Sequence, residues 1–307
     1  MFDAQDRPLQ IDITPEGTRV TMRLAVERAA RYMAGHYPGF PILPGVLLLD
    51  SVRQAAGRAL DAELRLRRID SARFARPLLP GDELTLTLLM TARADRQTEV
   101  RARGTRSDGR RAADLSVTLE PVAAGVRPPP AGRAPHPAGR GPLLDHSQVR
   151  ARLRQRPPML LLDTVQEFTP PDSLVATKAI TGGEDCYQDM AEGSGTDAFA
   201  YPPALLLESF GQAVSLLWSL AELGPADEIP LMAGIRGLAY AAPALPGDVL
   251  EHRVELRHRS GGVGEFTGET RAAGRSILTV GSILVVSRRA AALLPTTPAP
   301  HPPEDGR

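Results

Sequence analysis

The segment FARPLLPGDELTLTL at residues 74–88 is repeated, with changes, as YAAPALPGDVLEHRV at residues 240–254. Both copies share the pattern P-x-L-P-G-D-x-L. The Pro-Gly-Asp triplet favours a tight turn, and the alternating residues that follow it predict a strand. Because so long a pattern recurs, the chain is predicted to contain one structural unit twice.

A long apolar helix is predicted at a matching distance before each copy of this turn. The first is PGVLLLDSVRQAAGRAL at 44–60, and the second is PPALLLESFGQAVSLLWSL at 202–220. Both segments begin with proline, which the first turn of a helix tolerates. Apolar residues cover nearly all sides of each helix, so both helices are predicted to be buried.

Strand patterns surround each helix. LQIDITPEGTRVTMRLAV precedes the first helix, and three further alternating segments follow it; the second helix has a similar set around it. One buried helix packed against a meander of antiparallel strands is an α+β arrangement. The prediction is therefore two such units, with their sheets paired and both helices enclosed.

Proline, glycine, alanine and arginine dominate residues 122–142, VAAGVRPPPAGRAPHPAGRGP. A segment with so few large apolar side chains cannot bury enough surface to fold, so it is predicted to be a linker. Residues 291–307 are predicted to be a disordered tail for the same reason. The linker separates a first domain at 1–121 from a second domain at 143–290.

The composition excludes several functional classes. The 307 residues contain 36 basic and 36 acidic side chains, which argues against nucleic-acid binding. A single cysteine, Cys186, permits no intrachain disulfide or cysteine-based zinc site and suits a cytoplasmic location. No apolar run is long enough to span a membrane. Lys178 is the only lysine, and its surroundings predict a surface strand without Schiff-base chemistry.

The stretch HYPGFPILPGVLLLDSVRQ at 36–54 resembles the signature of the bacterial β-hydroxyacyl-ACP dehydratases of the FabZ/FabA type, H-F-P-G-x-P-x-x-P-G-V-L-x-x-E/D-x-x-x-Q. The segment at 74–82 and PPMLLLDTV at 157–165 resemble further segments of this family. The resemblance implies a hotdog fold in each half, and hence a double hotdog.

The same resemblance implies a composite active site. In this family one fold contributes a histidine and the opposite fold contributes the acid of the central helix. Here His36 lies in the first half, whereas the second half has no histidine between His146 and His252. Only His36 with Glu208 would then form a complete site, as in the similar dehydratase domains of modular polyketide synthases.

The expected reaction is the loss of water from a 3-hydroxyacyl thioester, which gives a trans-2-enoyl product. His36 would remove the α-proton, and Glu208 would protonate the leaving hydroxyl or hold the leaving water. The N–H of Gly45, at the start of the first helix, would bind the thioester carbonyl. We expect Gln212 to orient Glu208, Tyr37 to line the pocket, and Gly39 to shape the histidine loop.

The opposite site is predicted to be vestigial. It would contain Asp50 without a histidine, because counting back from Glu208 by the His36-to-Asp50 distance leads to Ser194. The remaining histidines are interpreted as linker, tail or strand-surface residues: His136, His146, His252, His258 and His301. No metal site is predicted, since His252 and His258 have no carboxylate companions.

No cofactor is expected, because the substrate would be carried on phosphopantetheine. The predicted partner is an acyl carrier protein, docked on an arginine-rich surface near the mouth of the His36 site. The arginine run at 65–68 is either a solvated face or part of that surface. Two other functions stay open, a hotdog thioesterase and a non-catalytic subunit of a heteromeric dehydratase. A homodimer of double hotdogs also stays open.

Overall fold

The computed structural model describes residues 8–122, 141–225 and 227–289. Most of the predicted linker and all of the predicted tail lie outside these ranges. We refer to residues 8–122 as the first half and to residues 141–289 as the second half. Within the described residues each half contains six strands and one long helix.

The strands form two sets of similar length. They are β1 (Gln10–Thr14), β2 (Gly17–Ala25), β3 (Leu64–Phe74), β4 (Glu83–Ala92), β5 (Thr98–Arg106), β6 (Arg111–Pro121), β7 (Thr164–Thr169), β8 (Ser173–Ala179), β9 (Glu228–Tyr240), β10 (Val249–Ser260), β11 (Val263–Ala272) and β12 (Arg275–Arg289). The α-helices are α1 (Ala30–His36), α2 (Val46–Leu60), α3 (His146–Arg152) and α4 (Pro203–Leu220).

All twelve strands belong to one antiparallel sheet with the order β1-β2-β4-β5-β6-β3-β9-β12-β11-β10-β8-β7. The second half therefore repeats the strand order of the first half in reverse. The halves join where Arg68–Arg73 of β3 pairs with Ala239–Gly234 of β9. This junction makes the two sheets continuous.

The two long helices contact each other inside the curved sheet. Leu47 and Leu49 of α2 and Leu207 and Phe210 of α4 are completely buried in one apolar cluster that includes both halves. Burial of each such side chain contributes about 1.5–3 kcal/mol. The shared core therefore fixes the position of one helix relative to the other.

Both predicted helices are present, and they begin within two residues of the predicted starts. The strands that join the halves, β3 and β9, were not among the predicted strands. The prediction of a surface position for Lys178 is wrong. Its side chain is buried in β8, pairs with Glu184 at 2.7 Å and lies over the ring of Tyr201, so the charge is compensated inside the protein.

Candidate active site

His36 is the last residue of α1 and is held by the loop that follows. Its ring atom Nδ1 lies 3.1 Å from the carbonyl oxygen of Ile42. Because a carbonyl oxygen only accepts, Nδ1 donates in this contact. The loop thus leaves Nε2 as the ring nitrogen that faces Glu208.

Glu208 lies in the second turn of α4, on a face that is buried. Its atom Oε1 accepts a hydrogen bond from the side-chain amide of Gln212, at 3.1 Å. The same amide donates to the Met159 carbonyl at 2.7 Å and accepts from the Leu161 N–H at 3.0 Å. Gln212 therefore holds the Glu208 carboxyl and also fixes α4 to the preceding segment.

The two side chains meet across the junction of the halves. His36 Nε2 lies 3.9 Å from Glu208 Oε1, and both residues are at most 9% exposed. This is too long for a direct hydrogen bond, but it is a distance at which both groups can contact one small reacting fragment. A base from the first half and a carboxyl from the second half thus face the same space.

The segment 156–161 bonds both to the residue before His36 and to Gln212, which holds Glu208. Its Arg156 N–H donates to the carbonyl of Gly35, next to His36, while its Met159 carbonyl accepts from Gln212. A Cβ on Gly35 would lie 2.6 Å from the Arg156 carbonyl, so only glycine permits this approach. Gly35 and Met159 were not predicted to support the site, although the resemblance of PPMLLLDTV to a family segment indicated that part of the chain.

His36 and Glu208 line a cavity of about 910 Å³. It lies where the pairing of β3 with β9 ends, since β9 continues beyond Gly234 with only β12 beside it. Apolar side chains form much of the wall: Leu43, Val46, Leu48, Leu231 and Met232. The gap between the two central strands therefore gives an elongated apolar ligand access to the pair.

Gly45 lines the same cavity immediately before α2. The N–H groups of Leu47 and Leu48 bond to the carbonyls of Pro44 and Gly45, so the N–H groups of Gly45 and Val46 are the ones without a partner inside the helix, and the helix dipole makes this end positive. A Cβ at Gly45 would lie 3.0 Å from the ring of Phe74. Glycine therefore keeps this part of the cavity open beside a set of N–H donors.

The two supporting residues of the histidine loop have distinct roles. The ring of Tyr37 lies edge-on to His36, with 4.5 Å between the centroids, and its hydroxyl donates to the Pro230 carbonyl of the other half. Burial, with a smaller effect of nearby Glu208, raises the pKa of Tyr37 above its ordinary value. Gly39 has a φ of +79° in the turn between Tyr37 and Phe40, a conformation that favours glycine.

Asp50 occupies the position in α2 that Glu208 occupies in α4, but its surroundings differ. Its carboxylate accepts from Arg53 at 2.9 Å and from Gln54 at 2.6 Å. It lines a separate cavity of about 780 Å³ together with Asp189. A guanidinium, rather than a histidine, is the charged partner of this acid.

Ser194 does not line the cavity that contains Asp50. Its hydroxyl donates to the Ala191 carbonyl within its own loop, at 2.7 Å. The N–H groups of Val26 and Leu43 bond to carbonyls beside the Pro-Gly-Asp turn of the first half, and those of Ile180 and Tyr201 bond to the equivalent carbonyls of the second half. The second loop is therefore four residues longer than the loop that carries His36. The insertion explains why a count along the sequence does not identify a structural equivalent of His36.

His252 corrects a second prediction from sequence. It is completely buried between Ser209 and Thr270, not at a strand surface. His258, on the same strand, is exposed. Among residues 8–122, 141–225 and 227–289, no group of three or more histidine, cysteine, aspartate or glutamate side chains is arranged to hold a metal ion, and no helix is long and apolar enough to cross a membrane.

Comparison with known proteins places this geometry in a family. The model of the ApeI-like dehydratases matches residues 12–111. The 3-hydroxyacyl-[acyl-carrier-protein] dehydratase FabZ of Anaeromyxobacter sp. (strain K) is 36% identical over 139 residues, which are 44% of this chain and 86% of the relative. FabZ of Polynucleobacter asymbioticus is 40% identical over 93 residues, which are 28% of this chain and 59% of that relative.

Solved structures match nearly the whole chain. The dehydratase domain from the CurJ module of the curacin polyketide synthase has a TM-score of 0.61 at 12% identity and covers 93% of this chain and 97% of its own. The bifunctional dehydratase-cyclase domain of ambruticin biosynthesis has a TM-score of 0.58 at 20% identity, covering 93% and 96%. These matches confirm the predicted double-hotdog fold, and the match to FabZ over one half of the chain establishes the family. The chain is a dehydratase and belongs to the FabZ-type 3-hydroxyacyl-[acyl-carrier-protein] dehydratase family.

Proposed function

We propose that this protein removes water from 3-hydroxyacyl thioesters carried on an acyl carrier protein, in one composite site formed by His36 and Glu208. The observation that carries the proposal is the 3.9 Å approach of His36 Nε2 to Glu208 Oε1 across the two halves. The product is a trans-2-enoyl thioester. The arrangement has one base and one acid, which is what a 1,2-elimination requires.

His36 acts on the carbon next to the thioester carbonyl. Its Nε2 takes the α-proton as the C–H bond breaks, and the bonding electrons move towards the carbonyl. The Ile42 carbonyl supports this role, because it holds the Nδ1 proton and stabilises the imidazolium that forms. A fixed tautomer and ring orientation are what a general base needs.

Glu208 acts on the β-hydroxyl. As the general acid, it transfers a proton to the hydroxyl as the carbon–oxygen bond breaks, so that water leaves and the double bond forms. Gln212 donates to Oε1, which leaves Oε2 to carry the proton. After the reaction, the proton on His36 returns to Glu208, and both groups regain their starting states.

Gly45 stabilises the charge that develops on the thioester oxygen. Its N–H lies at the amino end of α2 and lines the cavity that contains His36. Backbone donors aimed at a developing oxyanion typically contribute a factor of about 10²–10³ to the rate. The first half thus supplies the base and the oxyanion donor, and the second half supplies the acid.

The carrier protein docks at the arginine-rich rim of the cavity. Four exposed arginines lie there without an ion-pair partner among the described residues: Arg73, Arg76, Arg236 and Arg288. By contrast, Arg65 pairs with Glu120 and Arg68 pairs with Asp70, and neither lines the cavity. Unpaired guanidinium groups suit phosphate and acidic side chains, so we assign docking to the rim.

The test is an assay of the purified full-length protein with a 3-hydroxyacyl-pantetheine thioester and with the same acyl group on a carrier protein. We expect the absorbance of a conjugated enoyl thioester to increase without release of free thiol. His36→Ala serves as the inactive control, since it removes the base.

Each alternative predicts a different result in the same assay. A thioesterase would release free thiol without enoyl absorbance. A non-catalytic subunit would give neither signal until a partner protein is added. Either result would refute the proposed function.

A further inference from the structure

A buried polar chain connects the acid-bearing helix α4 to the sheet of the second half. His252 Nε2 lies 3.0 Å from the hydroxyl of Ser209 on α4, and His252 Nδ1 lies 2.8 Å from the hydroxyl of Thr270 on β11. All three side chains are completely buried. Neither the cavity nor the proposed reaction uses them.

In one arrangement of the protons, every donor and acceptor of the Ser209–His252–Thr270 chain has a partner. The Ser209 hydroxyl also lies 2.9 Å from the Leu206 carbonyl, which can only accept. If Ser209 donates to that carbonyl, His252 Nε2–H donates to Ser209 and the Thr270 hydroxyl donates to Nδ1. Every group then has a partner, and the imidazole is neutral. Burial, with a smaller effect of Lys178, lowers the pKa of His252 to about 3, in agreement with a neutral ring.

The first half has no such chain at the equivalent positions. Counting from the shared Pro-Gly-Asp turn, Leu86 corresponds to His252, and its strand partner Gly104 corresponds to Thr270. Ser51 corresponds to Ser209, and its hydroxyl bonds to the Leu47 carbonyl of its own helix. The polar chain therefore occurs only with the helix that carries Glu208.

We propose that Ser209, His252 and Thr270 are positioning residues that set the rotation and height of α4, and so the placement of the adjacent Glu208 opposite His36. The inference rests on the proposed function. Gln212 bonds α4 to the segment 156–161, and the Ser209–His252–Thr270 chain bonds it to the sheet. The two anchors are three residues apart on α4 and have partners in different parts of the second half, so together they restrict its rotation and its height more than either does alone.

The experiment compares two matched pairs of variants of the full chain with a 3-hydroxyoctanoyl-pantetheine thioester. Thr270→Val keeps the side-chain shape and removes the hydroxyl, while Thr270→Ser keeps the hydroxyl and removes a methyl group. Ser209→Ala removes the helix end of the chain, and Ser51→Ala makes the same change in the first half. Enoyl absorbance gives kcat and KM, and urea unfolding reports stability.

We expect Thr270→Val and Ser209→Ala to lower kcat about tenfold with KM changed less than twofold, since small misplacements of a reacting group cost rate more than binding. Thr270→Ser and Ser51→Ala should keep kcat within twofold. Folded Thr270→Val and Ser209→Ala proteins with unchanged kcat would overturn the inference, and so would equal losses in Thr270→Ser and Thr270→Val. An inactive wild-type protein would instead refute the proposed function.

Discussion

The helices α2 and α4 occupy equivalent places in the two halves and carry an acid at the same position, but the two acids have different partners. The Glu208 carboxyl accepts from the carboxamide of Gln212 and lies 3.9 Å from the ring of His36 of the other half. Asp50 forms an ion pair with Arg53 of its own helix, at 2.8 Å. An imidazole can exchange a proton with a neighbouring carboxyl group, whereas a guanidinium keeps its protons. The difference indicates that equivalence of fold does not bring equivalence of chemistry.

The surroundings of Glu208 and of Asp50 also differ in the gap between the central strands β3 and β9. Counting back from Phe74 and Tyr240, Ala233 of β9 corresponds to Arg67 of β3. Ala233 lines the cavity that contains His36 and Glu208. The Arg67 guanidinium instead donates to the carbonyl of Tyr240, and so bridges the two central strands. The small side chain of Ala233 leaves a gap between the strands on the Glu208 side, whereas the long side chain of Arg67 crosses the equivalent gap.

The largest effect should come from replacing the Glu208 carboxyl with an amide, and the matched change at Asp50 is the control. Glu208→Gln cannot supply a proton, so kcat should fall at least about a hundredfold, the usual contribution of a positioned acid. Asp50→Asn should keep activity within a few-fold, although it weakens a buried ion pair and lowers stability by about 1–3 kcal/mol. Steady-state kinetics and urea unfolding of both variants provide the test.

The double variant His36→Ala with Glu208→Gln should be little worse than either single variant, because the two groups act in one step. If a well-folded Asp50→Asn protein were inactive while Glu208→Gln retained activity, the assignment of the site to His36 and Glu208 would be wrong.

The polar chain around His252 should make the second half more sensitive to acid than the first. The unfolded chain binds a proton at His252 near pH 6.5, whereas the folded protein does so only near pH 3. Stability from the neutral ring is therefore present above pH 6.5 and is lost as the pH falls. Between pH 7 and pH 5 this loss is about 2 kcal/mol.

The measurement for this difference is urea unfolding at both pH values. The double variant His252→Leu with Thr270→Val, which makes the site apolar as in the first half, should lose about 2 kcal/mol less than the wild type over that interval. An equal loss in both proteins would show that the ring is not held neutral.

The arginines of the cavity rim should contribute to binding of the carrier protein, whereas those of the run at 65–68 should not. Arg236→Ala with Arg288→Ala should raise KM for a carrier-bound substrate about tenfold at low salt and leave KM for the pantetheine substrate unchanged, since exposed charges act on the docked carrier and are screened by salt. Arg65→Ala with Arg68→Ala is the matched control and should change neither value. If only Arg65→Ala with Arg68→Ala raised KM for the carrier-bound substrate, the docking surface would be the run at 65–68 and not the cavity rim.

Sequence patterns predicted the units of the fold better than their junction. The repeated turn and the two apolar helices have strong signals, because each depends on neighbours in the chain. The strand β3 contains LRLRRID, where arginines hide the alternation and register shifts interrupt it at two points. One of the two neighbours of β3 is β9 of the other half, and no local pattern specifies such a distant pairing.

The residues of the candidate site could be predicted where they belong to a sequence motif. They could not be predicted where their position depends on packing. His36, Gly45 and Glu208 follow from the signature and the repeat. The burial of His252 does not, because its partners, such as Thr270, are distant in sequence. The burial of Lys178 depends on Glu184, which follows six residues later in a loop without a recognisable pattern. Gly35 contributes through close contact with Arg156 of the other half, which only the folded chain brings near.

The smallest effect is expected at Tyr37, where the dehydratase signature has phenylalanine. Tyr37→Phe removes the hydroxyl that donates to Pro230 across the halves at 3.1 Å but keeps the ring against His36. A single hydrogen bond of this kind contributes about 1 kcal/mol, so stability should fall by about that amount, while kcat should change less than about threefold because the base keeps its neighbour. Tyr187→Phe, which removes a hydroxyl bond to Phe199 in the longer loop of the second half, should cost similar stability and no activity. Kinetics and urea unfolding measure both variants. If Tyr37→Phe reduced kcat as much as Glu208→Gln, the Tyr37 hydroxyl would take part in the proton transfers, and the site would need three groups rather than two.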